Sequence, residues 1–222
     1  MNFPEGLFDQ LWSFGAFVPL LAAWAWCVRT APWKRLLDST QLNVWLGAVV
    51  TLMLMWSMKA GAHPGLNLHL LGATAFTLMF GRQLAILGLS VVMAAVTLNG
   101  GAGWEPYALN VLVTAVFPCI FADAMLRIVE RYLPPNFFVY IFVATFFGAA
   151  LAAVSTGLLA TIVLWLAGVY PAEMLFSDYF PAYILLGFAE AWLNGAAITM
   201  MVVYYPHWVG SFDDRRYLND KK

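Results

Sequence analysis

Of the 222 residues, 63% are apolar and only 10% are charged, with 11 Lys and Arg against 12 Asp and Glu. A soluble domain is about one quarter charged, so lipid is the solvent this chain is built for. A net charge of −1, with no basic stretch, zinc-knuckle spacing or phosphate-binding glycine loop, excludes nucleic acid as a partner.

The opening MNFPEGLFDQ lacks the basic n-region of a secretory signal and carries Glu5 and Asp9 instead, so residues 1–9 are expected to be retained on the outer side. Apolar runs then predict helices near 10–28, 42–60, 68–81, 84–98, 108–128, 137–167 and 181–205. This is an all-α, polytopic integral membrane protein of seven transmembrane helices within residues 10–206, followed by a cytoplasmic tail, 207–222. The cations set its direction. Arg29, Lys34 and Arg35, then Arg82, then Arg127 and Arg131, then Arg215, Arg216, Lys221 and Lys222 all fall on one side if the N-terminus is outside, and only Lys59 falls on the other.

The third and fourth runs lie between Asn67, Arg82 and Asn99. Each is long enough for only about 20 to 24 Å of a bilayer core of about 30 Å. With Arg82 in their cytoplasmic turn, the shortfall falls at their outer ends. Non-helical chain at that depth must be covered by protein or line a cavity, so a recess open to the outside is expected, floored by the start of the third helix and the end of the fourth.

Small residues recur every fourth position in the sixth run (Ala144, Gly148, Ala152, Thr156, Ala160) and the seventh (Gly187, Ala191, Gly195, Thr199). Such stripes let helix backbones approach closely, within the bundle or against another membrane subunit. Cys27 and Cys119 sit in apolar runs without CxxC spacing and read as buried small hydrophobes. Met53, Met55 and Met58 read as adaptable packing rather than a soft-metal site, because Met53 and Met55 point to opposite sides of a helix.

Two acids interrupt apolar runs. Asp123 stands one turn before Arg127 and is expected to pair with it. Glu190 has no cation near it in sequence, so it must be hydrogen-bonded across helices, protonated or facing water. His63 and His69 are the histidines at the outer edge, His69 opening the third helix at the floor of the recess and His63 in the loop above it. Imidazole is the commonest side-chain ligand of divalent transition metals. No acid, base and nucleophile share a face, so an enzyme is not expected and no resident cofactor is implied.

These residues also carry a resemblance. MNFPEGLF is similar to the Met-His-Ile-Pro-Asp-Gly-Phe opening of the CbiM/NikM family, the substrate-binding membrane components of energy-coupling factor (ECF) transporters for cobalt and nickel. His69-Leu70-Leu71-Gly72-Ala73-Thr74, with Phe80-Gly81 after it, resembles the family's His-Leu-x-Gly stretch. Asn110 in YALN matches an Asn of the family, and Glu190 in GFAEAWLNG matches a Glu of its last helix.

The resemblance implies a metal site built from the chain terminus: the Met1 amine, residue 2, and His69. It also implies a bacterial inner-membrane location, a coupling transmembrane (T) component and separate cytoplasmic ATPase subunits. Residue 2 here is Asn2 where the family has His. A carboxamide is a much weaker donor than imidazole, which leaves open a different ion, a site completed by His63, or a substrate that is not a bare ion. A metal permease working alone, and a membrane scaffold that has kept the fold without the ion, are the competing expectations.

The charge pattern predicts that residues 1–9 and 207–222 lie on opposite sides of the membrane. Labelling of single cysteines introduced at each end, in intact and in opened cells, checks this, and labelling of both ends from the same side contradicts it.

Overall fold

The computed structural model describes residues 2–61 and 63–218. Five helices are long and apolar enough to cross a membrane: α1 (Gln10–Thr30), α2 (Ser39–Ser57), α5 (Tyr107–Tyr132), α6 (Val139–Leu166) and α7 (Ala172–Tyr204). Between α2 and α5 lie two shorter ones, α3 (Ala73–Phe80) and α4 (Arg82–Leu98), of 8 and 17 residues. The apolar surface is turned outward, as lipid requires: Leu11, Val18, Leu185, Phe188 and Trp192 are exposed, while Asn110, Glu190, Asn194, Thr145 and Thr156 are buried.

Local chemistry sets several of these boundaries. Asp38 caps α2, its Oδ1 accepting from the Thr40 and Gln41 N–H groups at 2.7 and 3.2 Å. In α5 and α7, wider turns over Leu112–Val116 and Leu175–Tyr179 precede Pro118 and Pro181 by a residue or two. A proline has no N–H to donate and its ring crowds the carbonyl four residues back, so the helix opens there into i to i+5 bonding.

The third helix departs most from the sequence-based expectation. It starts at Ala73, not near 68, so His69 lies before it in irregular chain. Gly72 has a φ of 63°, a left-handed turn open to glycine, and this halts the helix short of His69. At 1.5 Å per residue, α3 is only about 12 Å long. The seventh helix is longer than its apolar run, beginning at Ala172 rather than 181.

Between α2 and α3 the chain forms a small antiparallel hairpin, β1 (Ala60–Gly61) with β2 (Asn67–Leu68), in which Gly61 pairs with Asn67. At the opposite end of the bundle the cations are gathered in. Arg82 pairs with Asp123 at 3.0 Å and stacks over Trp26, Arg127 pairs with Asp123 at 2.8 Å, and Arg35 covers Phe80 and donates to the Trp208 carbonyl. The chain beyond α7 folds back beneath α3, where Gly210 and Ser211 donate backbone N–H groups to the Met79 and Leu78 carbonyls at 2.9 and 3.1 Å. A last short helix, α8 (Asp214–Tyr217), is pinned by Arg216 to Glu130 at 2.8 Å.

The small-residue stripes of α6 and α7 face into the bundle and pack the two helices together. Ala144, Ala152, Thr156, Ala160 and Ala191 are 0–2% exposed. A Cβ on Gly187 would press on Val154, and one on Gly157 would lie 2.1 Å from Tyr183 Cγ, inside the ring's own volume. By contrast, a Cβ on Gly148 would meet nothing nearer than a carbonyl at 3.5 Å. Gly157→Ala should therefore destabilise by about 1–3 kcal/mol through overpacking, whereas Gly148→Ala should be neutral or gain up to about 1 kcal/mol in helix propensity. Thermal melting in detergent distinguishes them, and equal effects would refute this packing.

Candidate metal centre

His69 is 4% exposed and stands at the junction of β2 and the irregular chain leading to α3. Trp56 of α2 holds this stretch from one side. Its ring lies 4.9 Å from the imidazole, centroid to centroid, and its Nε1–H donates to the Leu71 carbonyl at 3.0 Å. The imidazole Nδ1 faces the Leu70 carbonyl at 3.2 Å and Nε2 faces Asn2 Oδ1 at 3.1 Å.

Asn2 reaches His69 because the N-terminal segment is threaded into the protein. Asn2 and Phe3 are 1% and 0% exposed. Two asparagines hold this segment by its peptide groups as a neighbouring strand would. Asn67 Oδ1 accepts the Asn2 N–H at 2.7 Å while its Nδ2 donates to the Asn2 carbonyl at 3.1 Å. One residue on, Asn110 Oδ1 accepts the Phe3 N–H at 2.8 Å and its Nδ2 donates to the Phe3 carbonyl at 3.1 Å. Further along, the Gly6 N–H donates to Glu105 at 3.0 Å and the Gly103 N–H to the Phe3 carbonyl at 2.9 Å. Buried peptide groups must be paired, and these bonds meet that requirement where no regular element continues.

Above Asn2 opens a recess of 560 Å³ lined by Glu5, Lys59, His63, Asn67, Thr97 and Trp104 among others. Its wall includes the end of α4 and the hairpin before α3. His63 stands exposed in the turn of that hairpin, while Asn67 takes the place beside Asn2. Met1 lies outside the described residues. Among the described residues, no cluster of three or more His, Cys, Asp or Glu side chains converges.

Glu190 sits in the middle of α7 and is 2% exposed. It holds the two residues that lead into α3. The Leu71 N–H donates to Oε1, and the Gly72 N–H lies 3.2 Å from Oε2, which also accepts from Asn194 Nδ2 at 2.7 Å. Asn194 Oδ1 in turn accepts the Ala75 N–H at 2.8 Å. Glu190 thus satisfies the two N–H groups that lead into α3 and Asn194 one in its first turn, and a carboxyl group at this end complements the helix dipole. Since these bonds fall within three residues of His69, Glu190 also fixes the peptide that carries the imidazole.

Sequence reasoning singled out Asn2, His69, Asn110 and Glu190, and the structure unites the first three around the N-terminal segment. It passed over Asn67, Asn194 and Trp56. A signal for two of them was present. Asn194 follows Glu190 by four residues and so shares its helix face, and Asn67 precedes His69 by two, on the same side of an extended chain.

A bundle of membrane-length helices that folds its own N-terminal segment over a buried histidine, beneath a polar recess, defines a multi-pass membrane protein with an internal polar chamber. The family model for CbiM, described as the cobalt uptake substrate-specific transmembrane region, matches residues 2–208. The chain belongs to this family, and with it to the membrane components of metal transport. No match was found among curated proteins. Two solved structures share the fold. One, described as a truncated transition metal transporter, has a TM-score of 0.78 at 14% identity and covers 92% of this chain and 99% of its own. The other, described as a transition metal transporter, has a TM-score of 0.71 at 17% identity, with coverages of 93% and 96%.

Glu190→Ala would strand the N–H groups of Leu71 and Gly72, at about 1–3 kcal/mol for each buried group left unsatisfied. Glu190→Gln keeps one acceptor oxygen and should lose less. Melting temperatures in detergent should fall in the order wild type, Gln, Ala, and equal stability of all three would refute this role of Glu190.

Proposed function

We propose that this chain is the substrate-binding membrane component of an ECF-type uptake system for a divalent transition-metal ion of the cobalt and nickel kind, set in a bacterial inner membrane with the recess outward. The observation that carries this reading is the threading of the N-terminal segment, which brings residue 2 to 3.1 Å from the His69 imidazole under the recess. Phe3 and Phe8 favour insertion of the segment by burying their rings, but the polar Asn2 and its peptide groups gain nothing by leaving water unless partners await them. Its insertion makes sense as the completion of a site whose remaining donors come from the chain terminus.

In this reading the ion enters through the recess and is taken by His69 Nε2, the Asn2 side chain and the Met1 amine. Asn110 and Asn67 hold the terminal segment in register, and Glu190 holds the peptide after His69. Energy comes from separate ATPase subunits through a coupling membrane protein, since the donors described here bind and release but drive nothing. The reading of a scaffold without an ion is the outcome opposed in the test below.

Elemental analysis of protein purified with its authentic N-terminus should show about one transition-metal ion per chain. His69→Ala should abolish this in a protein that still folds, with a melting temperature lowered by the loss of the buried ring but no longer raised by added metal, and Cys119→Ala should leave the metal content unchanged. One additional Gly before Met1 should also abolish binding. Metal-free wild-type protein, after incubation with cobalt(II) and nickel(II), would establish the scaffold reading instead.

A further inference from the structure

A groove of 680 Å³ runs along the side of the bundle between α2 and α7. It exists because α2 packs against α4 and α7 against α6, so the two stand apart with the short α3 between them as a floor. The lining is largely apolar: Val44 and Ala48 on α2, Phe76 and Met79 on α3, Leu193 and Ala197 on α7. On the α2 wall, Asn43, Gly47 and Thr51 are exposed, so the groove opens sideways to lipid. Empty space in hydrocarbon forfeits dispersion contacts on every side, so such a groove is filled in a bilayer.

Its dimensions suit a hydrocarbon chain. The groove follows α2 from Thr40 to Met55, about 22 Å at 1.5 Å per residue, which gives a mean cross-section of about 30 Å². A helix with its side chains is 10–12 Å across, about 80–110 Å², and does not enter. The hydrocarbon of one leaflet is about 15 Å deep, so an acyl chain entering at the Thr40 end is accommodated along its whole length.

The charge at that end selects the headgroup. Lys34 and Arg35 stand in the short turn that leads into α2. Arg35 Nε donates to Gln41 Oε1 at 3.0 Å and Nη2 to the carbonyl of Trp208 at 2.9 Å, and Trp208 lines the groove with Thr40 and Asn43. Among the described residues neither cation pairs with an acid. Asp123 and Glu130 hold Arg82, Arg127 and Arg216, and the carboxyl group of Asp38 accepts from the first N–H groups of α2. Burial lowers the pKa of Arg35, the mark of a cation partly withdrawn from water without a counter-ion. Basic pockets at the ends of membrane helices recognise anionic headgroups.

We infer that the groove between α2 and α7 is a binding site for an anionic phospholipid of the leaflet away from the recess, with an acyl chain seated between Gly47 and Ala197 over α3 and the phosphate held by Arg35 and Lys34. The site is separate from the recess and from whatever ion the recess admits.

The test titrates delipidated full-length protein in detergent with palmitoyl-oleoyl phosphatidylglycerol and with the phosphatidylcholine of the same chains, and counts bound lipid by native mass spectrometry. One phosphatidylglycerol per chain should bind about 10- to 30-fold more tightly than phosphatidylcholine, at about 5-fold for each cation beside the headgroup. Arg35→Gln should lower phosphatidylglycerol affinity about 5-fold and leave phosphatidylcholine unchanged. Lys34→Gln should do the same, and since Lys34 is exposed it serves if Arg35→Gln does not fold. Gly47→Leu should fold, because a Cβ there meets nothing within 4 Å, and should lose both lipids by filling the groove. Equal affinity for the two lipids, an unchanged preference in the charge variants, or undiminished binding to Gly47→Leu overturns the inference. So does a Gly47→Leu protein that keeps its lipid but loses a co-purifying membrane protein or a dimer of its own, which would assign the groove to a protein partner or to a second copy. None of these outcomes bears on metal content, so the functional reading stands or falls separately.

Discussion

A helix of 8 residues embedded among membrane-length neighbours has almost as many unpaired backbone groups as paired ones. In water these ends would be solvated; in a bilayer interior each must find a partner in the protein. The structure around α3 follows from that demand. From α7, Glu190 takes the N–H groups of the two residues leading into it and Asn194 that of Ala75 in its first turn, and Gly210 and Ser211 return from beyond α7 to donate to the carbonyls at its end. Both supports come from the C-terminal part of the chain, so α3 is held only once α7 is in place.

The same demand creates the site. Because α3 begins only at Ala73, the chain from His69 to Gly72 runs in irregular conformation beside a space that no helix fills. The N-terminal segment occupies that space, paired through its peptide groups with Asn67 and Asn110. Membrane proteins tolerate such chain only where protein covers it or a cavity is lined by it, and here both conditions hold at once. The recess, the buried imidazole and the threaded terminus are thus three aspects of one local failure of helix.

The bundle elsewhere is conventional in its physics. Close approach of α6 and α7 depends on glycines whose missing side chains leave room for Tyr183 and Val154. Cations are gathered at the end of the bundle away from the recess, where Asp123 takes the guanidinium groups of Arg82 and Arg127 and aromatic rings cover those of Arg35 and Arg82. Cys27 and Cys119 are fully buried and unpaired with each other, as their apolar surroundings in the sequence indicated.

Much of this was legible in the sequence because lipid imposes a simple code. Apolar runs of sufficient length, interrupted where α3 and α4 fall short, indicated the helical class, the order of elements and the presence of a recess. The isolated acid Glu190 marked itself by its expense in such a run, while Asn110 was picked out by the family resemblance. What the sequence did not contain was the partner of each. That Glu190 holds the residues leading into α3, that Asn67 and not His63 stands beside Asn2, and that the stripes of α6 and α7 are spent on each other depend on which helices become neighbours. A hydrogen bond joining residues 119 apart, such as Leu71 to Glu190, is decided by the path of the whole chain. Periodicity fixes what a residue must satisfy; only the tertiary structure brings the atom that satisfies it.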